Sequence, residues 1–281
     1  MRKHAVVAYG LIFPAFAMWA LFFILPVGVV GYLSLFKTNF INTTFVGLAN
    51  YARLLRDPAF GETLGNSFLY VAFIPTTSLI LAIGLALAVY NDSKRMQSYL
   101  RAMIYVPTVV AGVILTMVWR WVFHPVSGLA NWLLSMVGIE SVIWMGGRLS
   151  AIIGISVVIL SFSCGGQLVI IMASMLSIPH EIVEAARIDG ASWLQVKMRI
   201  VLPLLVPIIM LCLLVAVIGA MQIWETIFLM SPTQDAHNLM YSIYFTGFQM
   251  GRYGLASAMT IVLMVIIACV AGVQRVIERF T

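Results

Sequence analysis

The chain has 281 residues, of which 62% are hydrophobic and only 9% are charged, and its formal net charge is +6. Soluble domains carry about 25% charged residues, so this composition excludes an ordinary soluble protein and indicates an integral membrane protein. The basic residues are dispersed over many polar segments, which argues against a nucleic-acid-binding face. All three cysteines stand in apolar runs without CxxC or Cys/His spacing, so nothing predicts a metal site or a disulfide.

In chain order, six apolar runs are long enough to cross roughly 30 Å of hydrocarbon as helices of about 20 residues. The first run follows Arg2 and Lys3. It is longer than the apolar region of about 7–15 residues in a signal peptide, so we expect an uncleaved first span. The runs predict an all-α membrane protein with a single transmembrane domain over residues 1–281. The predicted spans are 10–36, 67–91, 102–122, 150–177, 204–230 and 254–275.

Lysine and arginine predict the orientation of these spans. Ten of the 16 basic residues fall on the side that carries both termini and the segment 181–203. Cytoplasmic loops carry the excess of basic residues, so we expect this side to face the cytoplasm. The strongest signal is the short connection around 92–101, which holds Asp92, Lys94, Arg95 and Arg101.

Three connections are expected on the opposite side, at 37–66, 123–149 and 231–253. The first is polar and rich in turn residues, with a short helix predicted near Asn50–Leu55. The second is predicted to hold an amphipathic helix at Leu129–Val137. The third is rich in aromatic residues, which suit a membrane interface or a contact with a partner.

The segment 181–203, EIVEAARIDGASWLQVKMRIVLP, is the longest stretch of mixed charge in the chain. It contains three acids and three bases and is too polar to cross lipid. It predicts two short helices outside the bilayer, joined by a bend at Gly190 and ending at Pro203. Such an element between two spans is typical of a docking site for a protein partner.

The motifs of several enzyme classes are missing from the sequence. There is no GxxxxGK[ST] loop for ATP, no HExxH zinc motif and no GxSxG nucleophile motif. The four histidines are scattered over a terminus and loops. We therefore expect a chain that is not an enzyme and binds no cofactor of its own.

Glu225 is the only acid inside any of the six apolar runs. Acids in membrane spans are costly and tend to mark pathways for substrates or ions. With Gln222 and Trp224 beside it, Glu225 could accept hydrogen bonds from a sugar whose apolar face rests on the indole ring. The alternative is a carboxylate at the water interface, paired with Arg148 or Arg252.

A second polar group interrupts the fourth run, at SFSCGGQ. One interpretation is close helix packing at the small residues Gly165 and Gly166, which is common in membranes. The other is that the glycines open space for a ligand, which Ser163 and Gln167 would contact. Both interpretations can hold together.

The segment EAARIDGASWLQVKMRIVLP resembles the EAA loop of the permease subunits of binding-protein-dependent ABC importers. The family pattern is EAA, three residues, G, a spacer, then I-x-LP. The stretch FVGLANYARLLRDPAFGETLGNS, near 45–67, is similar to a segment of the carbohydrate-type branch, whose members transport maltose and glycerol 3-phosphate. The resemblance covers about residues 8–277. The matching residues are Glu184, Ala185, Ala186, Gly190, Ile200, Leu202 and Pro203.

This resemblance implies the type I ABC importer permease architecture, with six spans and a cytoplasmic coupling loop, in the cytoplasmic membrane of a bacterium or archaeon. It implies a second permease subunit, two ATPase subunits that bind ATP and Mg²⁺, and an extracytoplasmic solute-binding protein. Glu184 would contact a basic group on the ATPase, and Gly190 would permit the turn. The coupling residues implied are Glu184, Ala185, Ala186, Asp189, Gly190 and Pro203.

The chain departs from that branch after the fifth span, where it reads MSPTQDAHN in place of a T-x-GGP-like sequence. The departure leaves the transporter class intact and gives no basis for carrying over a substrate. Two alternatives stay open: a permease for amino acids, peptides or osmolytes, and a stand-alone secondary transporter or channel. The 45–67 stretch favours carbohydrate over the first, and the docking segment argues against the second.

Overall fold

The computed structural model describes residues 2–39, 41–90, 93–230 and 232–277. Its elements are almost entirely helical, with one two-stranded antiparallel sheet. The strands are β1 (Phe36–Thr38) and β2 (Thr43–Phe45). The α-helices are α1 (Arg2–Trp19), α2 (Leu25–Leu33), α3 (Ala49–Arg56), α4 (Pro58–Ala88), α5 (Lys94–Val109), α6 (Gly112–Val122), α7 (Leu129–Met136), α8 (Arg148–Leu176), α9 (His180–Ile188), α10 (Trp193–Val196), α11 (Leu202–Met221), α12 (Glu225–Met230), α13 (Leu239–Tyr244) and α14 (Tyr253–Ile277).

Five helical stretches within the described residues are long and apolar enough to cross a membrane. The pair α5 and α6 makes a sixth if it counts as one span, but the two helices meet at 93°. The prediction of one uninterrupted span over 102–122 is therefore wrong. Val110 and Ala111 adopt extended backbone angles, with ψ of 135° and 130°, between Pro107 near the end of α5 and Gly112 at the start of α6. The five stretches are Leu11–Leu33, Pro58–Ala88, Arg148–Leu176, Trp193–Met221 and Tyr253–Val276.

Two helix starts precede the predicted spans because capping residues fix them. Asp57 Oδ1 accepts a hydrogen bond from the Ala59 N–H at 3.0 Å, and Pro58 occupies the first helical position of α4. An Asp-Pro pair is the expected start of a helix. Ser93 caps α5 in the same way, so the basic residues from Lys94 onward belong to a helix and not to a tight loop. Asp92 lies outside the described residues.

Two π-helical turns lie just before prolines in the membrane spans. The turn Ala20–Ile24 joins α1 to α2 before Pro26, and the turn Lys197–Val201 joins α10 to α11 before Pro203. Leu25 N–H bonds to the Ala20 carbonyl, and Leu202 N–H bonds to the Lys197 carbonyl. Each span stays continuous because the wider turn relieves the clash that a proline ring would make with the preceding turn.

The short predicted helices of the connections are confirmed. The prediction near Asn50–Leu55 corresponds to α3, and the prediction at Leu129–Val137 corresponds to α7. Asn50 explains the position of α3, because its Nδ2 donates to the carbonyls of Ser34 at 2.8 Å and Phe36 at 3.0 Å. This buried amide ties α3 to the start of β1.

The chain divides into two compact units, Met1–Gly61 with Ser242–Ile266 and Glu62–Tyr241 with Ile267–Thr281. In the second unit α8 is the central helix, with half of its apolar window buried. One end of α8 packs in a core with Tyr70 and Ile74 of α4. The other end packs in a core with Leu79 and Ala82 of the same helix. By contrast, no residue of the apolar window in Leu11–Leu33 is buried, so that span leaves most of its surface to lipid or to another subunit.

Candidate functional site

A cavity of about 570 Å³ lies in the second unit, between α4, α6, α8, α11 and the start of α12. Three of its lining residues, Ser163, Gly166 and Gln167, come from the middle of α8. The others singled out in the sequence come from the end of the fifth span. The residues from that second group are Gln222, Trp224 and Glu225. The structure thus brings all six substrate-path candidates to one cavity, although they come from two distant parts of the chain.

The α8 wall presents two oxygen atoms that need a partner. Ser163 Oγ and Gln167 Oε1 are buried, and neither has a hydrogen-bond partner among the described residues. They stand four residues apart and so share one face of the helix. A buried polar atom without a partner costs about 1–3 kcal/mol. This cost predicts that water, or a ligand with hydroxyl or amide donors, occupies the space in front of them.

A break in the fifth span forms another wall of the cavity. Helix α11 ends at Met221 and α12 begins at Glu225, so residues 222–224 leave the helix. Irregular backbone at membrane depth is tolerated where it is buried in protein or lines a water-filled cavity. Asn238 Nδ2 donates to the Ile223 carbonyl at 2.6 Å and satisfies one acceptor that the break frees.

The prediction of one span over 204–230 is wrong at this break. The residues AMQIWE contain no proline or glycine, so local sequence does not announce it. The stabilising partner is Asn238, which comes from the connection that follows the span. Glu225 consequently lies in the first turn of a short separate helix, and its side chain is exposed.

Arg148 does not pair with Glu225. Its Nε donates to Asn66 Oδ1 at 2.9 Å. Within the described part of the chain Glu225 makes no salt bridge with it, so the interface-pair interpretation loses this partner. Gln222 is exposed and Trp224 is half-buried beside it. The residues that line the cavity therefore supply a carboxylate, an amide and an indole from the break in the fifth span, and an amide and a hydroxyl group from α8.

A hydrogen-bond network that the sequence did not reveal holds residues 235–237, in the connection that follows α12. Asn66 is fully buried, and its Nδ2 donates to the carbonyls of Asp235 at 2.6 Å and His237 at 2.8 Å. Tyr70 Oη donates to the Ala236 carbonyl at 3.1 Å. Burial lowers the pKa of His237, which favours its neutral form in this packed position. The connection whose sequence departs from the T-x-GGP-like pattern is thus fixed on α4.

The adjacent glycines of α8 have different surroundings. A Cβ atom on Gly165 would lie 2.5 Å from both the Ile104 carbonyl oxygen and Thr108 Oγ1 of α5. A Cβ atom on Gly166 would meet nothing within 4 Å. Gly165 therefore permits the close crossing of α8 and α5, while Gly166 lines the cavity. Each of the two interpretations of this pair fits one glycine.

We expect Gly165→Ala to destabilise the chain by about 1–3 kcal/mol, because the added methyl group meets a backbone carbonyl that cannot move aside. Gly166→Ala is the matched control, since the same methyl group enters open space one residue away. Thermal unfolding in detergent measures the difference. Equal unfolding temperatures for the two variants would contradict the close crossing.

The segment 181–203 begins with α9 and turns at Gly190. Gly190 has φ of 85°, in the left-handed region that glycine reaches without strain. Its N–H bonds to the Arg187 carbonyl at 3.0 Å, and the Ala191 N–H bonds to the Ala186 carbonyl at 2.9 Å. These two bonds form a Schellman motif, so the predicted bend at Gly190 has a specific hydrogen-bonded geometry.

The sequence predicted that the second helix of this segment is a separate short element, and this prediction is wrong. Ser192 and Gln195 form a capping box, with Gln195 Oε1 accepting from the Ser192 N–H at 2.7 Å. From there the helix runs through the π-turn into α11, so Trp193–Met221 is one stretch. Pro203 therefore lies inside a continuous helix and does not end the segment. A displacement of α9 would be passed directly to the fifth span.

Trp193 fixes the geometry of the turn. Its ring stacks on Tyr90 with a centroid distance of 5.3 Å and an interplanar angle of 12°. Lys197 Nζ lies 4.6 Å and Arg187 Cζ lies 5.4 Å from the centroid of the Trp193 ring, both at cation–π distance. Val183 and Val196 are buried in the core below. This packing leaves an outer face exposed, and that face includes Glu184, Ala185, Asp189 and Gly190, with Ala186 half-buried.

Residues 78–281 match the family model described as the binding-protein-dependent transport system inner membrane component. The chain belongs to this family. The match contains the segment 181–203, both walls of the cavity and α14. It confirms the resemblance to ABC importer permeases and removes the alternative of a stand-alone secondary transporter.

Curated relatives and solved structures align with nearly the whole permease. It is 30% identical to the trehalose/maltose transport system permease protein MalF of Thermococcus litoralis, covering 99% of this chain and 95% of the relative. It is 28% identical to the sulfoquinovosyl glycerol transport system permease protein SmoG of Agrobacterium fabrum, covering 98% and 91%. A chain in the structure of a bacterial alginate ABC transporter, in complex with an alginate pentasaccharide-bound periplasmic protein, superposes with a TM-score of 0.88 at 20% identity, covering 99% and 95%. That structural likeness supports the type I fold.

Proposed function

We propose that this permease carries a sugar or oligosaccharide through the cavity between α8 and the break before α12. The observation that carries the proposal is the pair of buried, unpartnered oxygens, Ser163 Oγ and Gln167 Oε1, on residues that line the same cavity as Gln222, Trp224 and Glu225. A sugar supplies hydroxyl donors for these acceptors and an apolar ring face for the indole. Relatives named for trehalose/maltose and for sulfoquinovosyl glycerol support a glycosidic substrate.

The other half of the proposal concerns energy supply. The exposed face of α9 docks on a separate ATPase subunit, and the continuous helix from Trp193 to Met221 carries the resulting movement to the cavity wall. Each importer contains two ATPase subunits and a second permease chain, with both termini of this chain in the cytoplasm. An extracytoplasmic protein delivers the solute, in keeping with the description of the family.

The test is substrate-stimulated ATP hydrolysis by the whole importer. The permease, purified with the products of its neighbouring genes, is reconstituted in vesicles and supplied with a panel of neutral disaccharides, oligosaccharides, polyols, sugar phosphates, amino acids and betaines. Stimulation by one glycosidic solute supports the proposal. Stimulation by an amino acid or betaine alone would overturn the carbohydrate assignment and leave the permease family intact.

The isolated chain should hydrolyse no ATP above the rate of an empty-vector membrane preparation, because it has no phosphate-binding loop. A coupled phosphate-release assay measures this, with the whole importer as the positive control. Hydrolysis that persists in the isolated chain after further purification steps would contradict the division of labour between permease and ATPase.

A further inference from the structure

A second recess, of about 650 Å³, lies in the first unit and shares no lining residue with the substrate-path cavity. Its walls come from the β1–β2 hairpin, helix α3 and the residues just before α14. Three bases line it, one from each of these parts: Lys37 from β1, Arg53 from α3 and Arg252 from the residues just before α14. No acidic residue is among its lining residues. A recess that gathers three cations in this way is suited to an anion.

The bases lack internal partners. Lys37, Arg53 and Arg252 are exposed, and within the described residues none of them forms a salt bridge or a side-chain hydrogen bond. Guanidinium and ammonium groups form charge-assisted hydrogen bonds with carboxylate and phosphate oxygens. The two guanidinium groups and one ammonium group of this recess are therefore accessible to an anionic ligand from outside the chain.

The backbone around the recess is held in place. Asn39 Oδ1 accepts from the N–H groups of Ile41 at 3.1 Å and Asn42 at 2.7 Å, which shapes the hairpin turn. Gly251 has φ of 65° and turns the chain into α14, where the Arg252 N–H bonds to the Thr246 carbonyl at 3.0 Å. Asn50 fastens α3 to the hairpin. The recess is consequently a built feature of the fold.

Its level relative to the membrane identifies the anion. Lys37 follows closely after Leu33, where the first span ends, and Arg252 directly precedes Tyr253, where the last span begins. Tyr32 and Phe248 are 62% and 73% exposed near these two ends, as aromatic residues at a membrane interface are. Two ends of apolar helices therefore place the recess at the depth of lipid headgroups.

We propose that this recess binds the phosphate of an anionic phospholipid. Lys37, Arg53 and Arg252 contact the phosphate oxygens, while the hydroxyl groups of a glycerol headgroup reach the amide of Asn42. The apolar side chains of Val46 and Leu255, which also line the recess, face the start of the acyl chains. The bound lipid fastens the hairpin to the last span and holds the first unit at the membrane surface.

The experiment measures retained lipid on the purified full chain in detergent, by native mass spectrometry, after equilibration with phosphatidylglycerol or with phosphatidylcholine. The wild-type chain should retain phosphatidylglycerol over phosphatidylcholine. Each base near a membrane surface is worth about 1 kcal/mol, or about fivefold in affinity, so Arg53→Gln with Arg252→Gln should lower retention about 25-fold. Arg56→Gln is the matched control, because Arg56 is an exposed base of the same helix that does not line the recess.

Four results would overturn the proposal. Equal retention of the two lipids by the wild-type chain would remove the anion selectivity. Equal retention of phosphatidylglycerol by the double variant and the wild type would remove the assignment to these residues. Displacement of the lipid by inorganic phosphate at matched concentration would show a free anion site. A double variant that retains the lipid but loses salt-sensitive docking of the solute-binding protein would assign the recess to an acidic protein surface instead.

Discussion

Gly190→Pro should abolish solute uptake while the permease still inserts into the membrane. Proline fixes φ near about −65°, whereas Gly190 sits at 85°, and proline also lacks the N–H that bonds to the Arg187 carbonyl. The Schellman turn cannot form, and the local cost is about 3 kcal/mol or more. The spans are untouched, so the expected defect is in the docking of the ATPase and not in folding.

The matched control is Gly190→Asn, because asparagine tolerates the left-handed region better than other residues with a side chain. A side chain at this position meets nothing within 4 Å, so the asparagine introduces no clash. Uptake of radiolabelled solute and co-purification of the ATPase should both be near normal in this variant. Normal uptake and co-purification in the proline variant would remove the segment from the coupling mechanism.

Glu184→Lys tests the same face by charge. Glu184 is exposed on α9 and reversing it places a cation opposite the basic group expected on the ATPase. A charge-assisted hydrogen bond contributes about 1.5–3 kcal/mol, so co-purification should fall about tenfold or more. Glu140→Lys reverses an exposed acid in the connection between α7 and α8 and should leave co-purification unchanged. Equal effects of the two reversals would indicate a non-specific response to charge.

The sequence predicts best those features that depend on local chemistry. The length of the apolar runs locates the spans. The Asp57-Pro58 pair and the Ser192–Gln195 capping box are enough to place the starts of α4 and α10. The predicted spans began later in the chain than these two helices do. Gly190 announces its turn because few other residues reach its backbone angles. The Asn50 in the GLANY stretch is informative only once its two carbonyl partners are known.

The breaks in the third and fifth spans could not be predicted in the same way. Pro107 and Gly112 flank the bend at Val110 and Ala111, but membrane helices tolerate proline and glycine, so these residues do not by themselves predict a break. The unwound residues 222–224 include neither proline nor glycine. At the second break the freed Ile223 carbonyl is satisfied by Asn238, a residue from the following connection. That connection is held in turn by Asn66 and Tyr70 of α4. The partners that stabilise the second break are far apart along the chain, so a local sequence pattern cannot predict it.

The grouping of the six substrate-path candidates depends on the same long-range packing. Gly165 brings α8 close to α5, which leaves Gly166 and Gln167 facing the cavity. The break before α12 turns Trp224 and Glu225 toward the same space. The chemical types were evident in the sequence, but their convergence required the crossing of α8 with its neighbours. Their role in transport stays a prediction.

Glu225→Ala should lower the uptake of a neutral sugar about 10- to 100-fold, because a hydrogen bond to a charged group contributes about 1.5–3 kcal/mol. Gln167→Ala should lower it less, about tenfold at most, since a neutral hydrogen bond contributes about 0.5–1.5 kcal/mol. Uptake kinetics in reconstituted vesicles measure both variants. Glu140→Ala is the control, because it removes an exposed carboxylate that does not line the cavity.

Glu225→Gln separates hydrogen bonding from charge, since the amide still accepts hydrogen bonds from hydroxyl groups. For a neutral sugar, Glu225→Gln should retain more uptake than Glu225→Ala. For a substrate that carries phosphate, the carboxylate repels the anion, and both variants should take it up faster than the wild type. Unchanged rates and unchanged solute preference in Glu225→Ala and Gln167→Ala would assign these residues to helix packing and the membrane interface, because a substrate that passes between α8 and α12 cannot avoid both walls.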